Sequence, residues 1–263
     1  MSGAGADGGA TPSARRRAAS ILDQLRLAAS FLTIIPLLDQ RPRRPEDVAA
    51  SFRWFPLVGF ALGATLACTD YLLSGTLGPS ARAAVTVIAL AVVTGAVHLD
   101  GLADTADALG AGRDRVRALE ILRDSRIGTF GAIALFFVLT LKLSALAGAI
   151  HMGRYRAIYL APGLARWAMV MVADRMTYLR REGAGVALLR EGERRNWWIA
   201  SIVALVGVVL TRSLAGLGAA ALAVALALLL RVFYRRWLGG VTGDLLGAAG
   251  EIVETAVLLA LAN

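Results

Sequence analysis

Residues 83–110 read "AAVTVIALAVVTGAVHLDGLADTADALG" and combine two features that rarely occur together. The first half is almost entirely apolar and approaches the roughly 17 to 25 apolar residues with which a helix crosses a bilayer. The second half places three carboxylates, Asp100, Asp104 and Asp107, within eight residues. Carboxylates at membrane depth are energetically costly and usually serve a function. This stretch therefore predicts a membrane protein with a functional site where a hydrophobic helix ends.

Similar apolar windows recur along the rest of the chain. Of its 263 residues, 57% are hydrophobic, and the mean hydropathy is +0.63, whereas a soluble domain is nearer half apolar. We predict an all-α fold, a polytopic transmembrane helix bundle with about six to seven spans. The count is open because the fifth and sixth segments could form one helical hairpin. The predicted spans are 55–76, 82–99, 129–150, 157–176, 197–211, 214–233 and 245–262.

The N-terminal region departs from this pattern. Residues 1–20 are rich in Gly, Ala and Ser, and we predict a disordered tail. Residues 21–38 are too short to span comfortably, so we predict a short interfacial helix that ends near Pro36. Residues 21–263 would then form a single integral-membrane catalytic domain. The lone cysteine, Cys68, excludes a disulfide framework.

The positive charge has an uneven distribution. The net charge is +9, and arginines supply nearly all of the excess. With the N-terminus in the cytoplasm, the loops on that side hold most of the arginines, as the positive-inside rule requires. We therefore attribute the charge to membrane topology and expect no nucleic-acid partner. This topology also places 98–110 and 239–254, "GGVTGDLLGAAGEIVE", on the same cytoplasmic side.

The three aspartates of the first stretch are spaced i, i+4 and i+7. On a helix they lie within about 40° of one face, and their mutual repulsion calls for a counter-charge. Mg²⁺ is a suitable one, because it takes one or two carboxylates together with waters and phosphate oxygens. The same spacing relates Asp244 and Glu251 in the second stretch. The alternatives are a solvated acidic loop for the first stretch, and a packing face with Thr242 or Asp244 as N-cap for the second.

Arginines accompany the acidic residues in "ALEILRDSRIGTFGA", residues 118–132. Carboxylates for a metal beside guanidinium groups for phosphate are the arrangement that phosphoryl transfer needs. Arg123 and Arg126 are the candidates for phosphate contact, and Asp124 is a further candidate metal ligand. The alternative for both arginines is ordinary positive charge at the membrane surface.

Three ionisable residues fall inside or at the end of predicted spans. His98 is a candidate general acid or base, since imidazole titrates near neutral pH, but it could equally brace the end of its span. Lys142 and Arg166 lie within spans, where a cation needs a partner. Each is a candidate for substrate phosphate, and pairing with a carboxylate is the alternative.

Together, "HLDGLADTADALG" (98–110), "LEILRDSRIGTFGA" (119–132) and "GGVTGDLLGAAGEIVE" (239–254) closely resemble the motifs of the cobalamin synthase family, the adenosylcobinamide-GDP ribazoletransferases. Two further pieces, "FLTIIPL" (31–37) and "FPLVGFALGA" (55–64), extend the resemblance from about residue 25 to the end. It implies a Mg²⁺-dependent enzyme of the bacterial inner membrane with a cytoplasmic active site. Such an enzyme joins α-ribazole, or its 5′-phosphate, to adenosylcobinamide-GDP and releases GMP.

On this resemblance we assign hypothetical roles to the candidate residues. Metal binding falls to five carboxylates, Asp100, Asp104, Asp107, Asp124 and Asp244. Asp107, Glu251 and His98 are the catalytic candidates, with Asp244 and Glu251 binding a second Mg²⁺ or removing the hydroxyl proton. Arg123, Arg126, Lys142 and Arg166 would contact substrate. The oligomeric state is open, and a homo-oligomer is compatible with the sequence.

Three other functions are compatible with part of the pattern. A CDP-alcohol phosphotransferase also places aspartates at a helix end, but its AR step is missing after "DGLADTAD". An intramembrane prenyltransferase would use the Asp100–Asp104 pair, yet usually carries a second aspartate-rich motif. A cation transporter would need acids near the midplane between repeats, and no repeat is visible.

Overall fold

The computed structural model describes residues 20–37, 44–124, 126–149, 151–180, 184–188 and 196–262. Helices dominate these ranges, which contain no strand beyond one isolated bridge between Tyr178 and Val241. The predicted all-α class is confirmed. The helices are α1 Ile21–Leu32, α2 Pro45–Ser51, α3 Phe55–Leu72, α4 Pro79–Val93, α5 Val97–Leu109, α6 Arg115–Ile121, α7 Thr129–Gly148, α8 His151–Ala173, α9 Ala184–Leu188, α10 Asn196–Leu210, α11 Leu214–Trp237 and α12 Gly243–Leu261.

The short N-terminal helix begins at a capping box. The Ser20 hydroxyl accepts from the Asp23 amide at 3.2 Å, and the Asp23 carboxylate accepts from the Ser20 amide at 3.3 Å. Ser20, which we predicted as the last residue of the tail, is thus the N-cap of α1. The helix ends at Leu32 rather than near Pro36. Residues 1–19, the remainder of the predicted tail, lie outside the described residues.

Three continuous helical stretches are long and apolar enough to cross a membrane: Pro45–Gly75, α7 and α11. The pair α4 and α5 qualifies as a fourth if it counts as one span, although the two helices meet at 87°. The predicted six to seven spans therefore exceed what length and composition support in the described ranges. The reason lies in α8 and α12, which are mostly buried at the centre of the bundle and carry charged residues there, and in α10, which is short.

The central pair is surrounded by the other long helices. α8 packs against α3, α12, α11 and α10, and α12 packs against α8, α5, α11 and α7. Close approach depends on small residues, as is common between membrane helices. At Gly59 of α3, an added Cβ would lie 2.4 Å from the Pro162 carbonyl oxygen of α8. Pro162 itself lies inside α8, where tight packing on α3 surrounds it.

A buried ion cluster joins four helices at the end of the bundle where α7 finishes. Arg154 donates to both carboxylate oxygens of Asp70, at 2.9 and 2.6 Å, and also to the Leu146 carbonyl oxygen. Arg82 Nη1 lies 3.5 Å from the same carboxylate. Asp70 and Arg154 are both about 1% exposed. The cluster therefore fixes the ends of α3 and α7 against the beginnings of α4 and α8.

We predict that Asp70→Asn destabilises the bundle, because it leaves the Arg154 guanidinium buried without a counter-charge. Breaking a buried pair in this way costs about 3–5 kcal/mol. The measurement is thermal unfolding of the protein in detergent. The control is Asp114→Asn at the exposed N-cap of α6, where Asn caps about as well as Asp. An unfolding midpoint equal to that of the control would contradict this role of the cluster.

Candidate active site

The acidic stretch forms α5, which starts after a sharp change of direction. Gly95 and Ala96 adopt positive φ values of 61° and 54° at the break between α4 and α5. A left-handed conformation is costly for alanine, so the surrounding packing must hold it. The helix places Asp100, Asp104 and Asp107 on one face, as their spacing predicts.

Asp107 holds the beginning of α7. Its Oδ2 accepts the Gly128 amide at 2.7 Å, and its Oδ1 accepts the Gly131 amide at 2.9 Å. These amides belong to the N-terminus of a helix, where a carboxylate is favoured by both hydrogen bonding and the helix dipole. We predicted Asp107 as a metal ligand and catalytic group. The structure gives it a positioning contact that the sequence did not reveal, and both predicted roles stay predictions.

Asp244 lies in the first turn of α12 and is held by an arginine from another segment. Arg180 Nη2 donates to Asp244 Oδ2 at 2.6 Å and to the Leu122 carbonyl oxygen at 2.6 Å. Thr242 is the N-cap of α12, since its hydroxyl accepts the Leu245 amide at 3.3 Å. The sequence left Thr242 and Asp244 open as caps. It gave no reason to single out Arg180, which is 64 residues from its partner and was one of many cytoplasmic arginines.

Close contact between α5 and α12 brings the two acidic motifs together. A Cβ added at Gly101 would lie 2.7 Å from the Asp244 carbonyl oxygen and 2.9 Å from its Cα. Asp104 lies close enough to Asp100, Asp244 and Arg180 to interact with each electrostatically. Within the described ranges, neither the Asp100 nor the Asp104 carboxylate has a hydrogen-bond or ion-pair partner. Their oxygens are thus available to a ligand.

The carboxylates at this site suit a cation that keeps several water or phosphate ligands better than a cation that is coordinated by protein atoms alone. In the described part of the chain, no three Asp, Glu, His or Cys side chains converge closely enough to hold a metal ion. The five predicted ligands, Asp100, Asp104, Asp107, Asp124 and Asp244, therefore do not form one preassembled site. Mg²⁺ commonly uses only one or two carboxylates and fills its shell with water and phosphate oxygens. Asp100 and Asp104 fit that smaller requirement.

Asp124 and Arg126 pair with each other. Arg126 Nε and Nη2 donate to the two Asp124 oxygens at 3.0 and 2.7 Å, and the Arg126 amide adds a third bond. Hydrogen bonding to Arg126 lowers the pKa of the Asp124 carboxyl, and the same contact raises the pKa of Arg126. The Arg126 side chain is 86% exposed, and Arg123 is also exposed. Both arginines can therefore meet a soluble phosphate, whereas Asp124 already has a cationic partner.

The remaining candidates meet inside the bundle in a second group, here called the interior cluster. Lys142 Nζ donates to Glu251 Oε2 and to Glu254 Oε1, each at 2.6 Å. Arg166 donates to the other Glu254 oxygen, and its Nη2 lies 3.3 Å from His98 Nδ1. All five residues are at most 5% exposed. The interior cluster therefore joins α5, α7, α8 and α12.

These contacts change the interpretation of several predicted roles. The structure does not bring Asp244 and Glu251 together, because seven residues separate them by about 10 Å along α12 and Glu251 pairs with Lys142. Lys142 and Arg166 are placed as the carboxylate-paired cations of the alternative interpretation, away from solvent. Glu254, which completes both pairs, was missed as a site residue. Its position three residues after Glu251 was the available signal.

The family comparison and the individual relatives indicate the same family. The family model described as cobalamin-5-phosphate synthase matches residues 24–262. A Syntrophobacter fumaroxidans protein named adenosylcobinamide-GDP ribazoletransferase is 44% identical, over 89% of this chain and 96% of its own length. Proteins of the same name from Desulforamulus reducens and Roseiflexus are 37% and 40% identical, over 90% and 89% of this chain and 95% and 87% of theirs. No solved structure matches the chain.

We predict that Gly101→Ala lowers the free energy of unfolding by about 1–3 kcal/mol, because the added methyl forces α5 away from α12. Thermal unfolding in detergent measures the loss. The matched control is Gly148→Ala, since a Cβ at Gly148 meets no atom within 4 Å. If both variants unfold at the wild-type midpoint, α5 and α12 do not pack as described.

Proposed function

This chain belongs to the cobalamin-5-phosphate synthase family, and from that membership we propose that it joins α-ribazole to adenosylcobinamide-GDP in a Mg²⁺-dependent reaction. GMP is released and adenosylcobalamin is formed, in the last stage of vitamin B12 biosynthesis. The 5′-phosphate of α-ribazole serves as an alternative acceptor and yields adenosylcobalamin 5′-phosphate. The enzyme would act at the cytoplasmic face of the bacterial inner membrane, where the positive-inside rule places both acidic motifs.

The observation that carries this proposal is the pair of carboxylates on α5, Asp100 and Asp104, which lie beside the N-terminus of α12 and have no partner among the described residues. The reaction requires a ribazole hydroxyl oxygen to bond to the phosphorus attached to cobinamide. The bond from that phosphorus to the GMP oxygen breaks, and GMP leaves with the electron pair. Negative charge accumulates on the pyrophosphate oxygens, and the hydroxyl proton must be taken up. A site for this reaction therefore needs a cation and a group that accepts a proton.

The residues at this end of the bundle can meet those needs. Asp100 and Asp104 would hold Mg²⁺, which neutralises charge on the pyrophosphate oxygens. A carboxylate oxygen of this pair that does not hold the metal can accept the hydroxyl proton. Arg123 and Arg126 extend into solvent, where they can meet the phosphates of the incoming nucleotide. Asp107 keeps the beginning of α7, and so the preceding loop, next to the carboxylates.

Asp244 and Arg180 form the side of the site that faces the aspartates of α5. The ion pair fixes the Asp244 carboxylate at 2.6 Å from the guanidinium, and the Arg180 side chain is 33% exposed. Arg180 can therefore turn part of its charge toward a phosphate without leaving Asp244. Glu251 already pairs with Lys142, and His98 lies against the Arg166 guanidinium, so in this proposal Asp100 or Asp104 rather than either of them takes the hydroxyl proton.

We predict that Asp104→Asn abolishes turnover while the protein still inserts into the membrane. The amide carries no charge to hold a metal and cannot take up a proton, whereas its size is nearly unchanged. The measurement is GMP release by membranes that contain the variant, with Asp114→Asn at the N-cap of α6 as the matched control. Near-wild-type turnover of Asp104→Asn would defeat the assignment of this carboxylate.

The reaction itself is tested with the wild-type protein. Membranes receive adenosylcobinamide-GDP, α-ribazole and Mg²⁺, and each component is omitted in turn or removed with EDTA. We expect GMP only when both substrates and the metal are present. Release of CMP from a CDP-alcohol, or of pyrophosphate from a prenyl donor, in the absence of GMP would support one of the competing enzyme classes and overturn the proposal.

A further inference from the structure

An apolar cavity lies between α4 and the central helices, next to the part of α5 that carries the aspartates. α4 packs on α3 and α7, and the cavity lies on its inner side. Its walls include Ala91 of α4, Thr94 at the C-cap of α4, Leu99 of α5 and Leu139 of α7. The interior cluster contributes three further lining residues, Lys142, Glu251 and Glu254. The cavity is therefore apolar around most of its surface and charged at one side.

The charged side is electrically balanced before any ligand enters. Lys142 and Arg166 carry two positive charges, and Glu251 and Glu254 carry two negative charges. An ionic ligand would add an uncompensated charge to a low-dielectric environment, which is strongly unfavourable. The cavity should therefore select a neutral molecule.

One hydrogen-bond donor remains for such a molecule. A lysine ammonium has three N–H donors, and Glu251 Oε2 and Glu254 Oε1 accept two of them. The described residues provide no acceptor for the third, although Lys142 lines the cavity. A buried donor without a partner is costly. A neutral, largely apolar ligand with one acceptor atom would satisfy it.

We propose that this cavity binds the heteroaromatic base of α-ribazole, an inference that rests on the function proposed above. The base is a methylated benzimidazole, which is flat and apolar and carries one unsubstituted ring nitrogen as an acceptor. Lys142 donates to that nitrogen, and the aliphatic walls cover the ring. Glu251 and Glu254 are then positioning residues, because they hold the ammonium in place and do not touch the reacting atoms.

The position of the cavity suits the geometry of the reaction. Leu99 lines the cavity and directly precedes Asp100, so one turn of α5 borders both the base pocket and the carboxylates. A nucleoside with its base between α4 and α7 would extend its ribose toward Asp100. The pocket would thus select the acceptor by its base while the chemistry takes place at the sugar hydroxyl.

The test is Ala91→Leu, which fills the cavity from α4 and leaves every polar group of the site unchanged. Ala81→Leu is the matched control, because Ala81 lies on the same helix but is exposed and does not line the cavity. We expect Ala91→Leu to raise the KM for α-ribazole by about tenfold or more, with the KM for adenosylcobinamide-GDP unchanged. Binding of α-ribazole to the purified full chain, measured by calorimetry in detergent, should weaken by the same factor.

The outcomes separate the two proposals. If the wild type releases no GMP, the proposed function fails, whatever the variant does. If the wild type is active and Ala91→Leu binds α-ribazole normally, the cavity does not hold the base and this inference is overturned. Loss of a co-purifying lipid from Ala91→Leu without an effect on α-ribazole would identify the cavity as an acyl-chain site, which also overturns it. Val87→Phe narrows the same cavity and replaces Ala91→Leu if that variant does not fold.

Discussion

The bundle depends on the buried ion pairs between Lys142 of α7, Arg166 of α8 and two glutamates of α12. In an apolar interior, a charge without a partner costs several kcal/mol even after relaxation. Each of these groups therefore requires a partner, and the full set of pairs forms only when α7, α8 and α12 keep the observed relative depth and rotation. His98 of α5 meets the Arg166 guanidinium, which extends the constraint to a fourth helix. The interior cluster therefore also determines where the part of α5 that carries the aspartates lies.

Two pairs of acidic residues near the candidate site differ in what they can do chemically. Glu251 and Glu254 are enclosed, and their charges are compensated by protein cations. Asp100 and Asp104 lie where helices begin and end, and they have no such partner in the described part of the chain. Because protein cations already neutralise Glu251 and Glu254, these glutamates can position a ligand but attract a further cation only weakly. Asp100 and Asp104, which have no such partner among the described residues, can bind a cation. This difference distinguishes the proposed metal site from the proposed base pocket.

The spacing of residues in the sequence predicted the features that depend only on near neighbours along the chain. The shared face of the three aspartates and the start of α12 near Thr242 follow from spacing and capping preferences. The predicted span 82–99 was wrong as one helix, because the chain breaks between α4 and α5. Pairings between distant segments did not follow, since nothing near Arg180 indicates Asp244 as its partner. The predicted spans outnumber the helices that qualify by length and composition in the described ranges, because the central helices α8 and α12 carry charged residues. α8 and α12 face other helices, which allows them to carry the charges that hold the bundle together.

The central proposal is that Asp100 and Asp104, which have no partner in the ranges that the structure describes, hold the divalent cation of a nucleotide-displacing transferase. Electron paramagnetic resonance of Mn²⁺, which shares the preference of Mg²⁺ for oxygen ligands, tests it most directly. Mn²⁺ is titrated into the purified protein with adenosylcobinamide-GDP, and Asp100→Asn is compared with the wild type. We predict that the nucleotide strengthens Mn²⁺ binding to the wild type and that the variant loses this bound ion. Equal Mn²⁺ binding by the two proteins would contradict a metal site on α5.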